Sequence, residues 1–153
     1  MDVVVHIRKI DKSGNLLTGT NFPFPVPESE APEGETIKLY GPQGFLRASS
    51  SASRDNSRSS ANGQEVFYRH DCEEKIPLGT VVPLDITLWP MGMVFAEGEG
   101  VMLLVAGHFL SEPAVETMKL REPDDENVGE HHIHTGGQYD SSLILPVVAG
   151  NRA

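Results

Sequence analysis

Apolar and polar residues alternate with a period of two along much of this chain, and the alternating runs are short. In the opening run Val3–Ile10, Val3, Val5 and Ile7 share one face while Val4, His6 and Arg8 take the other. That is the spacing of a β-strand, whose successive side chains point to opposite sides. The pattern is clearest in Val81–Trp89, where Leu84, Ile86 and Leu88 interleave with Asp85, Thr87 and Trp89. Pro83 donates no ladder hydrogen bond, so this strand starts near residue 84 or runs at a sheet edge. Val101-Met102-Leu103-Leu104-Val105 is apolar without interruption, which predicts a strand buried on both faces at the centre of a sandwich. Thr36–Tyr40, Phe45–Ser49, Val66–His70, Val94-Phe95, His131–Thr135 and Ser142–Leu145, with Val147-Val148 beyond Pro146, are further strand candidates.

Turn chemistry separates these runs. Asp11–Asn15, Gly41–Gly44, Ile76–Thr80, Ala96–Gly100 and Gly136-Gly137 carry the Gly, Pro, Asn and Asp residues that turns need. Leu110–Leu120, with Pro113 near a first turn, is the single helix candidate, too short and mixed to be stable on propensity alone. About eight or nine short strands with at most one short helix predict an all-β sandwich of jelly-roll type, one domain over residues 1–153. Two loops are read from composition. Residues 21–35 hold four prolines and no helical period, so they form an extended surface loop. Ser49–Gly63, rich in Ser, Asn, Arg and Asp, reads as a long flexible loop.

Composition narrows the function classes. The formal net charge is −10, so the chain lacks the basic surface that binding nucleic-acid phosphates requires. Much of that charge falls in Glu28–Glu35 and Glu122–Glu130, read as solvated loops without the ligand spacing of a calcium loop. Arg54 and Arg58 have no aromatic neighbours in sequence and make no nucleic-acid patch. No apolar run approaches the ~20 residues of a membrane span. No signal peptide is visible and Cys72 is the single cysteine, which predicts a cytoplasmic protein without internal disulfides. A chain whose first residues already form core strand often follows a preceding domain.

Candidate chemistry concentrates in Gly129–Pro146, GEHHIHTGGQYDSSLILP, read as strand, tight turn, strand. His134, Asp140 and Ser141 have the residue types of a hydrolytic triad. Closeness within a hairpin does not set an imidazole between a hydroxyl and a buried carboxylate, and no Gly-x-Ser-x-Gly elbow occurs. His132 and His134 lie two apart, on one face of a strand, as two metal ligands would. This His-x-His pair resembles the start of a cupin metal motif, yet the Glu and later His of that motif are missing. His6, His70 and His108 would have to converge by folding. Imidazoles hydrogen-bonded within a hairpin are the simpler reading. Cys72 lies among Asp71, Glu73 and Glu74, whose negative charge disfavours the thiolate. No Gly-rich phosphate loop precedes a helix. Trp89, with Tyr40, Tyr68 and Tyr139, has the residue types of a sugar-stacking platform, though core packing also explains a lone Trp.

Several of these stretches together resemble one family. Asp2–Ile10, DVVVHIRKI, is similar to its opening strand. Gly44–Ser49, GFLRAS, is similar to its Gly-Trp-Leu-Arg-x-Ser strand, with Phe45 in place of Trp. Ile76–Gly79 through Pro83–Pro90 resembles its Gly-x-x-x-Pro-x-x-Ile-x-Leu-Trp-Pro strand, and Met93-Val94-Phe95 with Gly98 or Gly100 fits its Met-Val-Phe-x-x-Gly turn. Gly129, His131, Ile133, His134, Thr135, Gly136, Gly137, Tyr139, Asp140, Ser141, Leu143, Leu145 and Pro146 resemble its closing signature. The family is the C-terminal domain of the X-Pro dipeptidyl-peptidase and cocaine-esterase-like (CocE/NonD) serine hydrolases. The resemblance implies a galactose-binding-domain-like jelly roll packed on an α/β-hydrolase catalytic domain, in cis or in trans. That domain hydrolyses esters or the amide after an X-Pro dipeptide, and houses the Ser-Asp-His machinery. None of those catalytic positions has a counterpart here, so this chain alone is expected to be inactive and to need no cofactor. On this reading His131, His134, Thr135, Gly136, Gly137, Tyr139, Asp140 and Ser141 are structural signature residues, and Trp89 is a candidate ligand contact. A stand-alone carbohydrate-binding module and a metalloprotein using His131, His132 and His134 stay open as alternatives, as does a homo-oligomer.

Overall fold

The structure, a computed structural model, describes residues 1–18, 27, 30, 41–72, 74–108, 127 and 129–148. Its sheet is built around the opening strand, β1 (Asp2–Ile10), with β2 (Leu16–Leu17), β3 (Gln43–Arg47) and β4 (Gly100–Ala106) all antiparallel to it. β4 runs along one edge of β1, from Val4↔Ala106 to Ile10↔Gly100. The other edge is shared: β3 pairs Asp2–His6, and β2 pairs Lys9 and Ile10 through the hairpin. A 3₁₀ turn spans Ala48–Ser53, and no α-helix occurs among the described residues. The protein is therefore all-β, as its alternation predicts. Thr36–Tyr40 and the helix candidate Leu110–Leu120 lie outside the described residues.

The predicted centre of the sheet is displaced by one strand. Val101–Val105 was expected to be buried on both faces, but β4 sits beside β1 and exposes every second residue. β1 is the strand buried on both sides. Cross-strand partners share a face, so Val3, Ile7 and Lys9 lie with Leu46, Leu103 and Val101, and Val4, His6 and Arg8 lie opposite. Val3, Val4 and Ile7 are each 3% exposed or less. Burial on that scale contributes roughly 1.5–3 kcal/mol for each large aliphatic side chain.

β1 also buries polar groups, and each needs a partner. Lys9 is wholly buried. Its Nζ lies 2.6 Å from Glu99 Oε2, donates to the Val94 carbonyl at 2.8 Å, and sits 5.6 Å from the centre of the Phe95 ring. Glu99 Oε2 also accepts the Ala96 amide at 2.6 Å. His6 Nε2 bonds Gln43 Oε1 across the β1–β3 ladder. At the start of β1, Arg47 grips Asp2 with two parallel bonds of 2.8 and 3.0 Å, the bidentate geometry guanidinium favours. Asn127 ties the same end of the sheet: its Oδ1 accepts the Asp2 amide at 2.7 Å and its Nδ2 donates to the Gly107 carbonyl at 2.6 Å.

The run expected as the clearest strand keeps its alternation without a ladder. Leu84, Ile86 and Leu88 are half-buried while Asp85, Thr87 and Trp89 are exposed. It is fastened to β3 by the Trp89 amide, which donates to the Gln43 carbonyl at 2.8 Å. Gly44 makes this approach possible, since a β-carbon there would overlap the Thr87 carbonyl. Val66–His70 likewise reduces to a single bridge, Arg54↔Tyr68, and Ser142–Val148 carries no strand pairing.

Ser49–Gly63 differs from its expected flexibility. The Asp55 amide donates to Phe67, the Arg69 amide donates to Ser53, and Asp55 Oδ1 accepts the Ser57 hydroxyl at 2.6 Å and its amide at 3.0 Å. Arg54 reaches Asp85 at 3.0 Å and Arg58 covers the Phe67 ring at 4.7 Å. The Ser- and Asn-rich composition that reads as disorder instead supplies acceptors and donors to a folded loop.

Three carboxylates make this fold acid-sensitive. The Asn15 side chain and the Ser13, Gly14 and Asn15 amides hold Asp11 below its ordinary value of 3.8 against a smaller opposing effect of burial. Bonds from Ser57 and the Arg58 amide do the same for Asp55. For Glu99 burial pushes upward, but the Lys9 and Ala96 hydrogen bonds and the Lys9 charge outweigh it, leaving the carboxyl below its ordinary 4.5. A depressed folded pKa means the unfolded chain binds more protons as the pH falls. The stabilisation is thus complete above those ordinary values and lost as the pH falls through the lowered ones. Urea midpoints should be flat from about pH 7 to about pH 5 and fall steadily below about pH 4. A midpoint that rises on acidification contradicts this assignment.

Candidate functional site

The signature near the C-terminus folds where its glycines predict. Gly136 and Gly137 have φ of 75° and 60°, which glycine reaches without steric cost. The Tyr139 amide donates to the Gly136 carbonyl at 2.9 Å, closing a bridge between these two residues. The first central residue, Gly137, has positive φ and the second, Gln138, does not, the pattern of a type II′ hairpin turn. The arms on either side do not zip into a ladder. They are joined by the His134 and Tyr139 rings, 4.7 Å between centres, and by the Ser141 hydroxyl, which donates to the His134 backbone carbonyl at 3.2 Å.

That last bond is not the one a triad needs. A catalytic serine must give its proton to an imidazole nitrogen held by a buried carboxylate. Ser141 is instead turned to the backbone of His134, and Asp140 is exposed. His131, His132, His134 and Thr135 are likewise exposed. Among the described residues no three His, Cys, Asp or Glu side chains gather as metal ligands would. Of the signature residues, Gly136, Gly137 and Tyr139 make the turn and His134 and Ser141 join its arms, while His131, Thr135 and Asp140 are exposed nearby in sequence.

The other candidates stand apart from it. Trp89 is 61% exposed, which removes the core-packing reading. Of its three proposed companions, Tyr68 is tied to the Asp85 carbonyl at 2.9 Å, Tyr139 packs tilted against the His134 ring, and Tyr40 lies outside the described residues. Cys72 is exposed, in a shallow cleft with Arg47, Ser49, Ser50, His70 and Asp71. Hydrogen bonding to Asp71, with burial and the Asp71 charge, pushes its thiol upward, as the neighbouring acids predict; it is a poor nucleophile. His6 is buried at 1% exposure on β1, His70 lies in the cleft and His108 follows β4. Sequence reasoning missed the Lys9–Glu99 pair. Lys9 occupies an inward position of the opening alternation, and a charged residue there is the signal that pointed to it.

The apolar surface is distributed unusually. Six hydrophobic residues are buried, whereas sixteen large ones are exposed among the described residues. Isolated exposed apolar side chains are ordinary, whereas contiguous apolar patches are where proteins pack on one another. The chain belongs to the family of X-Pro dipeptidyl-peptidase C-terminal non-catalytic domains, whose family model matches residues 1–144. No curated protein and no solved structure gives a significant match. Among the described residues no helix is long and apolar enough to cross a membrane.

Proposed function

We propose that this chain is the accessory β-domain of a serine hydrolase and packs on an α/β-hydrolase domain that cleaves esters or X-Pro dipeptidyl amides. Membership of a family of non-catalytic C-terminal domains implies a catalytic partner; the type of that partner is the part we infer. The observation that carries the reading is the Ser141 hydroxyl committed to a backbone carbonyl in a solvent-exposed turn. Trp89, Phe95 and Val94, exposed along one run, are offered as part of the docking surface. A jelly-roll connectivity belongs to the same proposal, with residues 82–89 and 142–148 supplying strands of a second layer.

The chain by itself should turn over neither a p-nitrophenyl ester nor Ala-Pro-p-nitroanilide above the buffer rate. Turnover that copurifies with the 153-residue chain and disappears in Ser141→Ala would overturn the accessory role. A Gly-x-Ser-x-Gly elbow encoded upstream of Met1, or in a neighbouring reading frame, is the expected companion.

A further inference from the structure

We infer that Asn62 is a site of self-modification, where the folded chain converts its own asparagine to aspartate and isoaspartate through a cyclic imide. The Gly63 N–H gives its proton to hydroxide, and the nitrogen bonds to Asn62 Cγ. The Cγ–Nδ2 bond then breaks, and Nδ2 leaves as ammonia. Water opens the imide at the side-chain carbonyl to give aspartate, or at the backbone carbonyl to give isoaspartate, whose main chain is longer by a methylene. One water is consumed, one ammonia is released, and either product adds a negative charge. Of the six asparagines in the sequence, Asn62 alone precedes a glycine. Glycine lacks the β-carbon that would crowd the attacking nitrogen.

The loop presents this asparagine for the reaction. Its base is closed by the Ser60 amide, which donates to the Glu65 carbonyl at 2.8 Å, and by the Glu65 amide, which donates to Ser60 Oγ at 2.9 Å. At its tip Asn62 and Gly63 are both exposed, so water and hydroxide reach the reacting atoms. The Gln64 amide donates to Asn62 Oδ1 at 3.2 Å, a side-chain turn that folds the Asn62 amide back along the backbone toward Gly63. The same bond sets a donor on the oxygen where negative charge develops during attack. The Gly63 amide is restrained by its bond to the Ser60 carbonyl, which at 3.2 Å is at the long end of the range and readily given up. Other described asparagines are held differently. Asn15 Nδ2 donates to Asp11, and the Asn127 side chain is committed to Asp2 and Gly107. After Asn56, the Ser57 amide donates to Asp55 Oδ1 at 3.0 Å.

Incubation of the whole 153-residue chain without denaturant at mildly alkaline pH tests this, read by isoelectric focusing and peptide mass mapping. The expected result is an acidic form that comigrates with Asn62→Asp and carries aspartate and isoaspartate at position 62, with ammonia released in equal amount. Its formation should quicken as the pH rises, because the attacking amide must lose its proton. Gly63→Ala should slow the conversion about tenfold. The added β-carbon would meet Ile144 Cδ1 at an ordinary 3.5 Å, so the variant tests the attack rather than the packing. If Gly63→Ala, strained at a φ of 72°, fails to fold, Asn62→Gln carries the test and should give no acidic form, with an unchanged circular dichroism spectrum. Asn62 left intact in the folded chain overturns the inference. So does conversion of Asn15 or Asn56 as fast as Asn62, or of folded Gly63→Ala at the parental rate. None of these results bears on the accessory role.

Discussion

Replacing Lys9 with methionine is expected to lower the unfolding free energy by about 3 kcal/mol, because it strands a buried carboxylate. Lys9 is fully buried and the Glu99 side chain is 7% exposed, so little solvent screens what remains. Methionine nearly conserves the length of the lysine stem, so the change tests charge more than volume. Attraction within a buried pair only partly offsets the cost of desolvating it, whereas removing one partner leaves that cost uncompensated. The double variant Lys9→Met/Glu99→Leu should therefore be more stable than Lys9→Met alone. Urea denaturation of the four species of this cycle gives the coupling directly. A Lys9→Met loss below about 1 kcal/mol, the range of exposed ion pairs, would mean the pair is solvated in solution.

Gly41→Ala should cost a similar amount, about 3 kcal/mol, for a different reason. Gly41 has φ of 108°, a region closed to residues with a β-carbon. A β-carbon there would also overlap the Ile7 carbonyl and lie 3.6 Å from Met93 Cε. Ile7 cannot easily give way: it sits in the middle of β1, and its amide donates to the Pro42 carbonyl at 2.9 Å. The melting temperature should drop by roughly 6–12 °C, taking 2–4 °C per kcal/mol for a chain of this size. Gly14→Ala separates the two contributions. Gly14 has φ of 84°, and an added methyl would meet nothing within 4 Å, so this position reports backbone strain alone, about 1 kcal/mol. Equal losses at the two positions would show that the contact with Ile7 is unimportant.

The strand at the start of the chain and the turn at Gly136-Gly137 were legible because each rests on local chemistry. Alternation at a period of two is set by the backbone, and so is the freedom of glycine at positive φ. Asp11–Asn15 was legible for the same reason, since Asp11 closes the turn through its own neighbours. Val101–Val105 was misplaced because unbroken apolarity records only that water is disfavoured. It does not say whether the second face meets the same chain or another one. Ser49–Gly63 was misread because the hydrogen bonds that order it reach Glu65, Phe67 and Arg69, and an ion pair reaches Asp85, all outside the stretch whose composition was judged.

The candidate site divides in the same way. Residue types alone allowed a triad from His134, Asp140 and Ser141, and the direction of the Ser141 hydroxyl, toward the His134 backbone carbonyl, could be read only from the structure. The exposure of Trp89 did have a sequence signal, since the alternation sets it on the side of Asp85 and Thr87, opposite Leu84, Ile86 and Leu88.

By itself the sequence determined the all-β class, the turns and the family, since these follow from backbone geometry and from signature residues close together along the chain. Tertiary structure alone decided that β1 is the central strand, that β4 lies beside it, and that Lys9 is buried against Glu99. Each of those depends on which distant segment covers a given face, and a strand carries the same pattern whichever neighbour it meets.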